Sequence, residues 1–208
     1  MVSLKQNLSG QFRKPTGLLG WFTGWLLAVN NKERSLFTVR KLNPKPTDYL
    51  LEIGYGPGVA LNLVAQRLTS GFLAGIDHSE VMFRQAAKRN KKFVGNRKLK
   101  LHCGTLSDLS YPADYFDIIY GSNVHFFWDE TVKEFQKIYS LLKPKGRLVM
   151  VFQPRWARSE EEIREIAKKT SEEYRKAGFR RIVVEFEKLN PVTCIYIEGR
   201  KLPSDAIA

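Results

Sequence analysis

The chain runs to 208 residues, 43% apolar and 26% charged, which is enough for one α/β domain with a sizeable core and hardly enough for two. Its two cysteines, Cys103 and Cys194, lie far apart and outside any CxxC spacing, so nothing suggests a disulfide framework or a zinc site; both sit in strand-like runs and are expected to be buried thiols. The formal net charge of +13 invites an anionic partner, either nucleic acid or a membrane surface.

Residues 1–16 are polar and basic, with Pro15 and Gly17 as breakers. Leu18 to Val29 (LLGWFTGWLLAV) is strongly apolar and carries Trp21, Phe22 and Trp25. It is too short to span a bilayer, which needs roughly 20 residues. Lys5, Arg13 and Lys14 precede it as in a signal peptide, but Asn30-Asn31-Lys32 stands where small cleavage-site residues belong. Three readings stay open: a lid helix over a ligand pocket, an amphipathic helix on a membrane surface, and a cleaved signal. Residues 1–32 are taken as a lid segment, 33–200 as the folded domain and 201–208 as a frayed tail. A cytoplasmic location is expected, with or without attachment to a membrane surface.

Arg34 to Leu42 suits a short helix, ended by Asn43-Pro44-Lys45-Pro46. Strand one is expected at Asp48 to Ile53 and a helix at Gly58 to Leu68, with Leu61, Val64, Ala65 and Leu68 on one face. Strand two, Gly71 to Ile76, ends at Asp77, and Ser79 caps a helix running to Asn90. The stretch from Arg84 to Lys100 holds Arg84, Lys88, Arg89, Lys91, Lys92, Arg97, Lys98 and Lys100 with no acid between them. A solvated helix face explains it most simply. Phe93 is the one aromatic residue among these charges, so the stacking signature of single-strand binding is missing, and any attraction to RNA, DNA or acidic lipid is non-specific.

Strand three follows at Lys98 to Cys103 and strand four at Phe116 to Tyr120. A helix fits Glu130 to Leu142, with Val132, Phe135, Ile138, Tyr139 and Leu142 inward, then a turn at Lys143-Pro144-Lys145-Gly146 and strand five at Arg147 to Phe152. Ser159 and Glu162 form a capping box for a charged helix ending at Gly178. Arg180 to Phe186 and Val192 to Glu198 are strands joined through Asn190-Pro191. Strands alternating with helices imply a doubly wound α/β fold with a mostly parallel sheet; the last strand pair breaks the alternation, so one of its members is antiparallel.

The chain is organised around Gly54-Tyr55-Gly56-Pro57-Gly58, a tight turn from strand to helix whose N–H groups can face a ligand. Ligands of such sheets sit outside the carboxyl ends of the strands. The candidate lining is therefore this loop, then Asp77-His78, Gly104 to Asp108, and Gly121 to Trp128. Asp77 lies about twenty residues past the glycines, where a carboxylate accepts bonds from both ribose hydroxyls; the alternative is a charge on a helix dipole. The spacing is G-x-G-x-G rather than the G-x-G-x-x-G of NAD enzymes, and there is no G-K-[ST] of a phosphate loop. Glu52 would repel a pyrophosphate and suits a cationic ligand. A ribose-bearing cation without phosphate is S-adenosylmethionine.

At this point the chain resembles the class I S-adenosylmethionine-dependent methyltransferases over roughly residues 33 to 199. LEIGYGPG looks like their first motif, GIDHSEVM their second, YFDIIYGSNVHFF the fourth-strand motif and LLKPKGRLVMV the turn and strand that follow. The resemblance implies a seven-stranded sheet, S-adenosylmethionine as cofactor, and cofactor contacts from Glu52, Gly54, Tyr55, Gly56, Gly58, Asp77, His78, Gly104, Thr105, Leu106, Ser122 and Asn123. One departure matters: family members often read Gly-Asp-Ala after strand three, where this chain has Gly104-Thr105-Leu106, so the adenine contact falls to Thr105 or to backbone.

Methyl transfer is an in-line displacement, and a general base is needed only if the nucleophile arrives protonated. His125 is the candidate base; the alternative is a histidine that packs in the pocket wall. His78 is expected near the ribose or adenine edge, and His102 to be structural. Phe126, Phe127 and Trp128, with Trp21 and Trp25, offer an aromatic enclosure for the acceptor. No Asn-Pro-Pro-Tyr-type motif, no catalytic cysteine pair and no separate RNA-binding domain is present. A small-molecule or lipid-like acceptor is the expectation. An RNA methyltransferase using the basic 84–100 surface, and a non-catalytic cofactor-binding protein, are the alternatives.

Overall fold

The computed structural model describes residues 32–203. The apolar segment Leu18–Val29, and with it the expected lid, lies outside the described residues, as do residues 204–208. Seven strands, β1 Tyr49–Ile53, β2 Phe72–Asp77, β3 Leu99–Cys103, β4 Phe116–Ser122, β5 Leu142–Phe152, β6 Arg180–Glu187 and β7 Cys194–Arg200, form one sheet in the order β3-β2-β1-β4-β5-β7-β6. The β2–β3 and β4–β5 pairs are parallel, and β7 runs antiparallel to both β5 and β6. The α/β class and the single reversed strand expected from the alternation are what the molecule has. In β2 and β7 all residues but one at an end are buried, as in strands covered on both faces.

Helices α1 Lys32–Leu42, α2 Val59–Ala65, α3 Glu80–Arg89, α4 Lys91–Gly95, α5 Thr131–Leu141 and α6 Glu160–Lys176 fill the crossovers. Among them no helix is long and apolar enough to cross a membrane. Both anticipated caps form: Ser79 Oγ accepts from Met82 N at 3.4 Å, and Ser159 Oγ accepts from Glu162 N at 3.2 Å. Each meets one of the otherwise orphaned N–H groups of a first helical turn.

Two compact units divide the described chain, residues 32–47 with 52–109, and residues 48–51 with 110–203. In the first, Leu61, Val64 and Ala65 of α2 and Met82 and Ala86 of α3 are buried, and α3 and α4 pack on β3. In the second, Phe135 and Ile138 of α5 and Ile163, Ala167 and Tyr174 of α6 are buried, and the two helices pack on each other. Burying one such side chain fully contributes about 1.5–3 kcal/mol. A polar knot also lies in this second core: Glu198 binds Arg147 at 2.7 Å, Arg200 at 2.8 Å and the Tyr196 hydroxyl at 2.7 Å.

Three local expectations are corrected. Lys143-Pro144-Lys145-Gly146 is not a turn ahead of strand five but part of β5, because Leu142 already pairs with Phe116 before the ladder resumes at Arg147 and Ile118. Lys145, at φ 68°, absorbs the extra length as a bulge. Cys103 is exposed rather than buried, because it ends β3, the strand at one margin of the sheet; Cys194, inside β7, is buried as expected. The helix from Gly58 stops at Ala65, and a further short helix, α4, follows Asn90.

Candidate active site

In the first unit the glycine loop leaves β1 with Gly54, Gly56 and Gly58 all in the left-handed region, at φ 69°, 51° and 75°. Alternate glycines at the end of an apolar strand therefore report the backbone directly. Gly54 N donates to Ile76 O at 2.8 Å, and the Tyr55 hydroxyl donates to His102 O at 3.0 Å. Burial, and next the nearby Asp77, push the Tyr55 phenol far up, so it stays a neutral donor.

Asp77 ends β2 and is 8% exposed. Its Oδ2 accepts from Gly56 N at 2.8 Å and its Oδ1 from Ser79 N at 2.9 Å. The carboxylate thus joins the loop after β1 to the cap of α3. A carboxylate has about four acceptor directions, so two remain for a ligand. Burial pushes its carboxyl above the ordinary range, against the pull of the Ser79 and Gly56 N–H groups. Added donors from a ligand would relieve that cost. His78 is half exposed, its Nδ1 4.0 Å from Asp77 Oδ1, and Glu52 is buried at 3% exposure. A Cβ placed on Gly56 would meet nothing within 4 Å, so the middle of the loop borders open space. A buried carboxylate with spare acceptor directions, a second acid behind the loop and room over Gly56 fit a ribose-bearing cation.

After β3, Thr105 N and Thr105 Oγ1 donate to Asp108 Oδ2 at 2.7 and 2.8 Å, opening a 3₁₀ turn at Leu106–Asp108. Gly104 has φ 153°, and a Cβ there would lie 2.7 Å from the same Asp108 oxygen. The Gly104-Thr105-Leu106 turn is thus shaped by Asp108, the last residue of the lining expected after β3. Its signal was the Thr-x-x-Asp capping spacing.

In the second unit, β4 ends at Ser122, and Asn123 turns the chain at φ 54°. Asn123 Oδ1 accepts from Gln153 N at 2.8 Å. Gln153 Nε2 in turn donates to Asn190 O and Val192 O, tying the ends of β4 and β5 to the loop before β7. A 3₁₀ turn at His125–Phe127 follows. His125 is 3% exposed, and its ring centroid lies 3.9 Å from that of Phe126 and 4.5 Å from that of Phe152. Neither ring nitrogen has a hydrogen-bond partner. Burial pulls its pKa down to about 3, so the imidazole is neutral.

Beside it opens a cleft of about 830 Å³, lined by His125, Phe126 and Trp128, Asp129 and Glu130 ahead of α5 with its first residues Thr131 to Lys133, Trp156 after β5, and Ile166, Lys169, Thr170 and Glu173 of α6. Trp156 is 54% exposed and meets Phe126 edge to face at 4.6 Å. Phe127, grouped with the enclosure from sequence, is exposed and is not among the cleft residues. Trp156 and the α6 residues were missed; applying the strand-end rule to β5 would have found the first.

The family model described as a methyltransferase domain matches residues 50–146. The chain is similar to an uncharacterized methyltransferase of Bacillus subtilis named YdaC, with 28% identity over 86% of this chain and 97% of that protein. It is also similar to the malonyl-[acyl-carrier protein] O-methyltransferase of Priestia megaterium, at 33% identity, but spans only 35% of that protein's length. In fold it matches a SAM-dependent methyltransferase from Aquifex aeolicus with a TM-score of 0.63 and 18% identity, over 85% of this chain and 92% of the other.

Proposed function

We propose, from the premise that this chain belongs to the class I S-adenosylmethionine-dependent methyltransferases, that its methyl acceptor is a small or lipid-like molecule with an apolar body held in the aromatic cleft of the C-terminal unit. The observation that carries this reading is the cleft itself: about 830 Å³, with rings of Phe126, Trp128 and Trp156 beside the carboxylates of Asp129 and Glu173 and the ammonium of Lys169. That is the size and the mixture of apolar wall and sparse polar groups in which small ligands are bound.

When bound, S-adenosylmethionine supplies an activated methyl group for in-line displacement. The chain's own share is binding, alignment and exclusion of water. Asp77 would take the ribose hydroxyls on its spare acceptor directions, with His78 beside it, and Glu52 would favour the cationic end of the ligand. Gly54, Tyr55, Gly56 and Gly58 would form the seat of the ligand, and Thr105 and Leu106 with Gly104 the adenine edge. His125 is assigned to the acceptor side. A neutral imidazole with two unpartnered nitrogens offers one donor and one acceptor. A base of pKa about 3 takes protons poorly, so it orients the acceptor unless the bound acceptor raises that value.

The basic stretch contributes less to an RNA-binding reading than its composition promises. Arg84 pairs with Glu80, Arg89 binds Pro57 O, and Lys98 Nζ binds Leu68 O at 2.7 Å. The test is transfer of labelled methyl to a panel of phenols, carboxylic acids, amines and fatty acyl compounds, with tRNA as a further arm. Turnover of a small or acyl acceptor is expected. Turnover of tRNA alone, with steeply salt-dependent binding, would overturn the proposal. So would tight cofactor binding with no turnover on any arm.

A further inference from the structure

Each residue of the glycine loop is held by a group from elsewhere in the first unit. Gly54 and Tyr55 bind main-chain oxygens of β2 and β3, and Gly56 binds Asp77. The remaining two, Pro57 and Gly58, are gripped by neighbouring side chains at the end of α3. Arg89 Nη1 donates to Pro57 O. Asn90 Nδ2 donates to Gly58 O at 3.1 Å and to Ala86 O at 3.0 Å.

Asn90 is fully buried, and every polar atom it has is engaged. Its N donates to Ala86 O at 2.9 Å, and its O accepts from Phe93 N and Val94 N at 2.8 and 3.1 Å. Its Oδ1 accepts from Asn62 Nδ2 at 3.1 Å. The fit leaves no space: a Cβ on Gly58 would lie 2.7 Å from Asn90 Nδ2 and 2.9 Å from Ala86 Cβ. Gly58 is therefore needed twice, for φ 75° and for the approach of α3. In a trans peptide the C=O and the following N–H point in opposite directions. By drawing Gly58 O towards α3, Asn90 turns the Val59 N–H, at the opening of α2, away from it.

We propose that Asn90, assisted by Arg89, is a positioning residue for the cofactor: it sets the peptide planes of Pro57 to Val59 before the ligand arrives, so that removing it weakens cofactor affinity beyond any general loss of stability. The proposal rests on the reading of this loop as the cofactor seat. It also gives Arg89 a task separate from the basic surface it belongs to in sequence; burial lowers its pKa, as suits a guanidinium turned inward.

Calorimetric titration of S-adenosylhomocysteine into the full chain tests it, beside the melting temperature of each variant. Asn90→Ala is expected to raise the dissociation constant roughly tenfold, and Asn90→Asp further, since a carboxylate would face the carbonyls of Gly58 and Ala86. Ile138→Val, a core change in the other unit, is expected to lower the melting temperature and leave affinity unchanged. An Asn90→Ala protein that melts as low as Ile138→Val yet binds within about twofold of wild type would overturn the proposal. If Asn90→Ala does not fold, Arg89→Met carries the decision: several-fold weaker binding supports the assignment, and unchanged binding overturns it. Wild type that fails to bind S-adenosylhomocysteine would overturn the reading of the loop itself, a result distinct from loss in the variants alone.

Discussion

The glycine loop of the first unit and the cleft of the second are built in opposite ways. In the loop, five consecutive residues each have a fixed partner, and Asp77 and Asn90 are buried with their atoms assigned. In the cleft, His125 is buried with both nitrogens unpartnered, Trp156 is half exposed, and acidic and basic side chains stand along the same wall. A preorganised site has little ordering entropy left to lose when its ligand binds, and it accepts one ligand shape. A site with unsatisfied groups and exposed rings adapts, and its specificity depends on what completes it. The difference teaches that one chain can hold a rigid, fully bonded loop and a cleft whose polar groups await a partner.

Four substitutions or titrations would break or sharpen that contrast. Gly58→Val has the largest expected effect. It forces a branched side chain to φ 75° and into Asn90 and Ala86, lowering stability by about 2 kcal/mol or more and abolishing S-adenosylhomocysteine binding; binding near wild type by calorimetry would show the loop to be less rigid than described. Asp77→Ala should weaken the same binding by about tenfold or more, since bonds to a charged group contribute about 1.5–3 kcal/mol each. Unchanged affinity would remove Asp77 from the cofactor site.

Trp128→Ala should act on the other side, raising KM for the acceptor several-fold with cofactor affinity unchanged, as read by steady-state kinetics. The smallest effect concerns pH. His125 has a folded pKa of about 3 against an unfolded value near 6.5. Between these values the unfolded chain takes up a proton that the folded chain refuses, so acidification favours unfolding. The melting temperature should fall on going from about pH 7 to about pH 5, and His125→Phe should show a shallower fall. Equal slopes in the two proteins would mean that His125 is not enclosed as described.

The sequence made the first region far more readable than the second, for physical reasons. Glycines at alternate positions declare left-handed backbone, and an acid at a strand end declares a polar site at the sheet's carboxyl edge; both signals are local. What holds the loop was not readable. Arg89 and Asn90 lie in the middle of a long basic run, where a cation turned inward looks like its solvated neighbours until Gly58 is brought against α3. His125 was visible as a residue, but its neutral state comes from Phe126 and Phe152, and the second of these is supplied by β5. Lys143 to Gly146 misled because proline and glycine are turn formers, whereas here they serve a bulge within a paired strand. The sheet order itself was legible only as alternation; that Cys103 falls on a marginal strand follows from pairing between distant segments.

The reversed strand has a consequence for how this protein is made. Among the described residues β7 comes last of the strands along the chain yet lies between β5 and β6, and it is the sole strand neighbour of β6. While the chain is being synthesised, β5 and β6 each wait with an unsatisfied edge until Cys194 to Arg200 have emerged. The described residues of the first unit have all emerged by position 109, although β1 still waits for β4 at Phe116–Ser122. Synthesis therefore delivers the glycine loop before the sheet is finished, and the interval between is when an open strand edge is available for pairing with other chains.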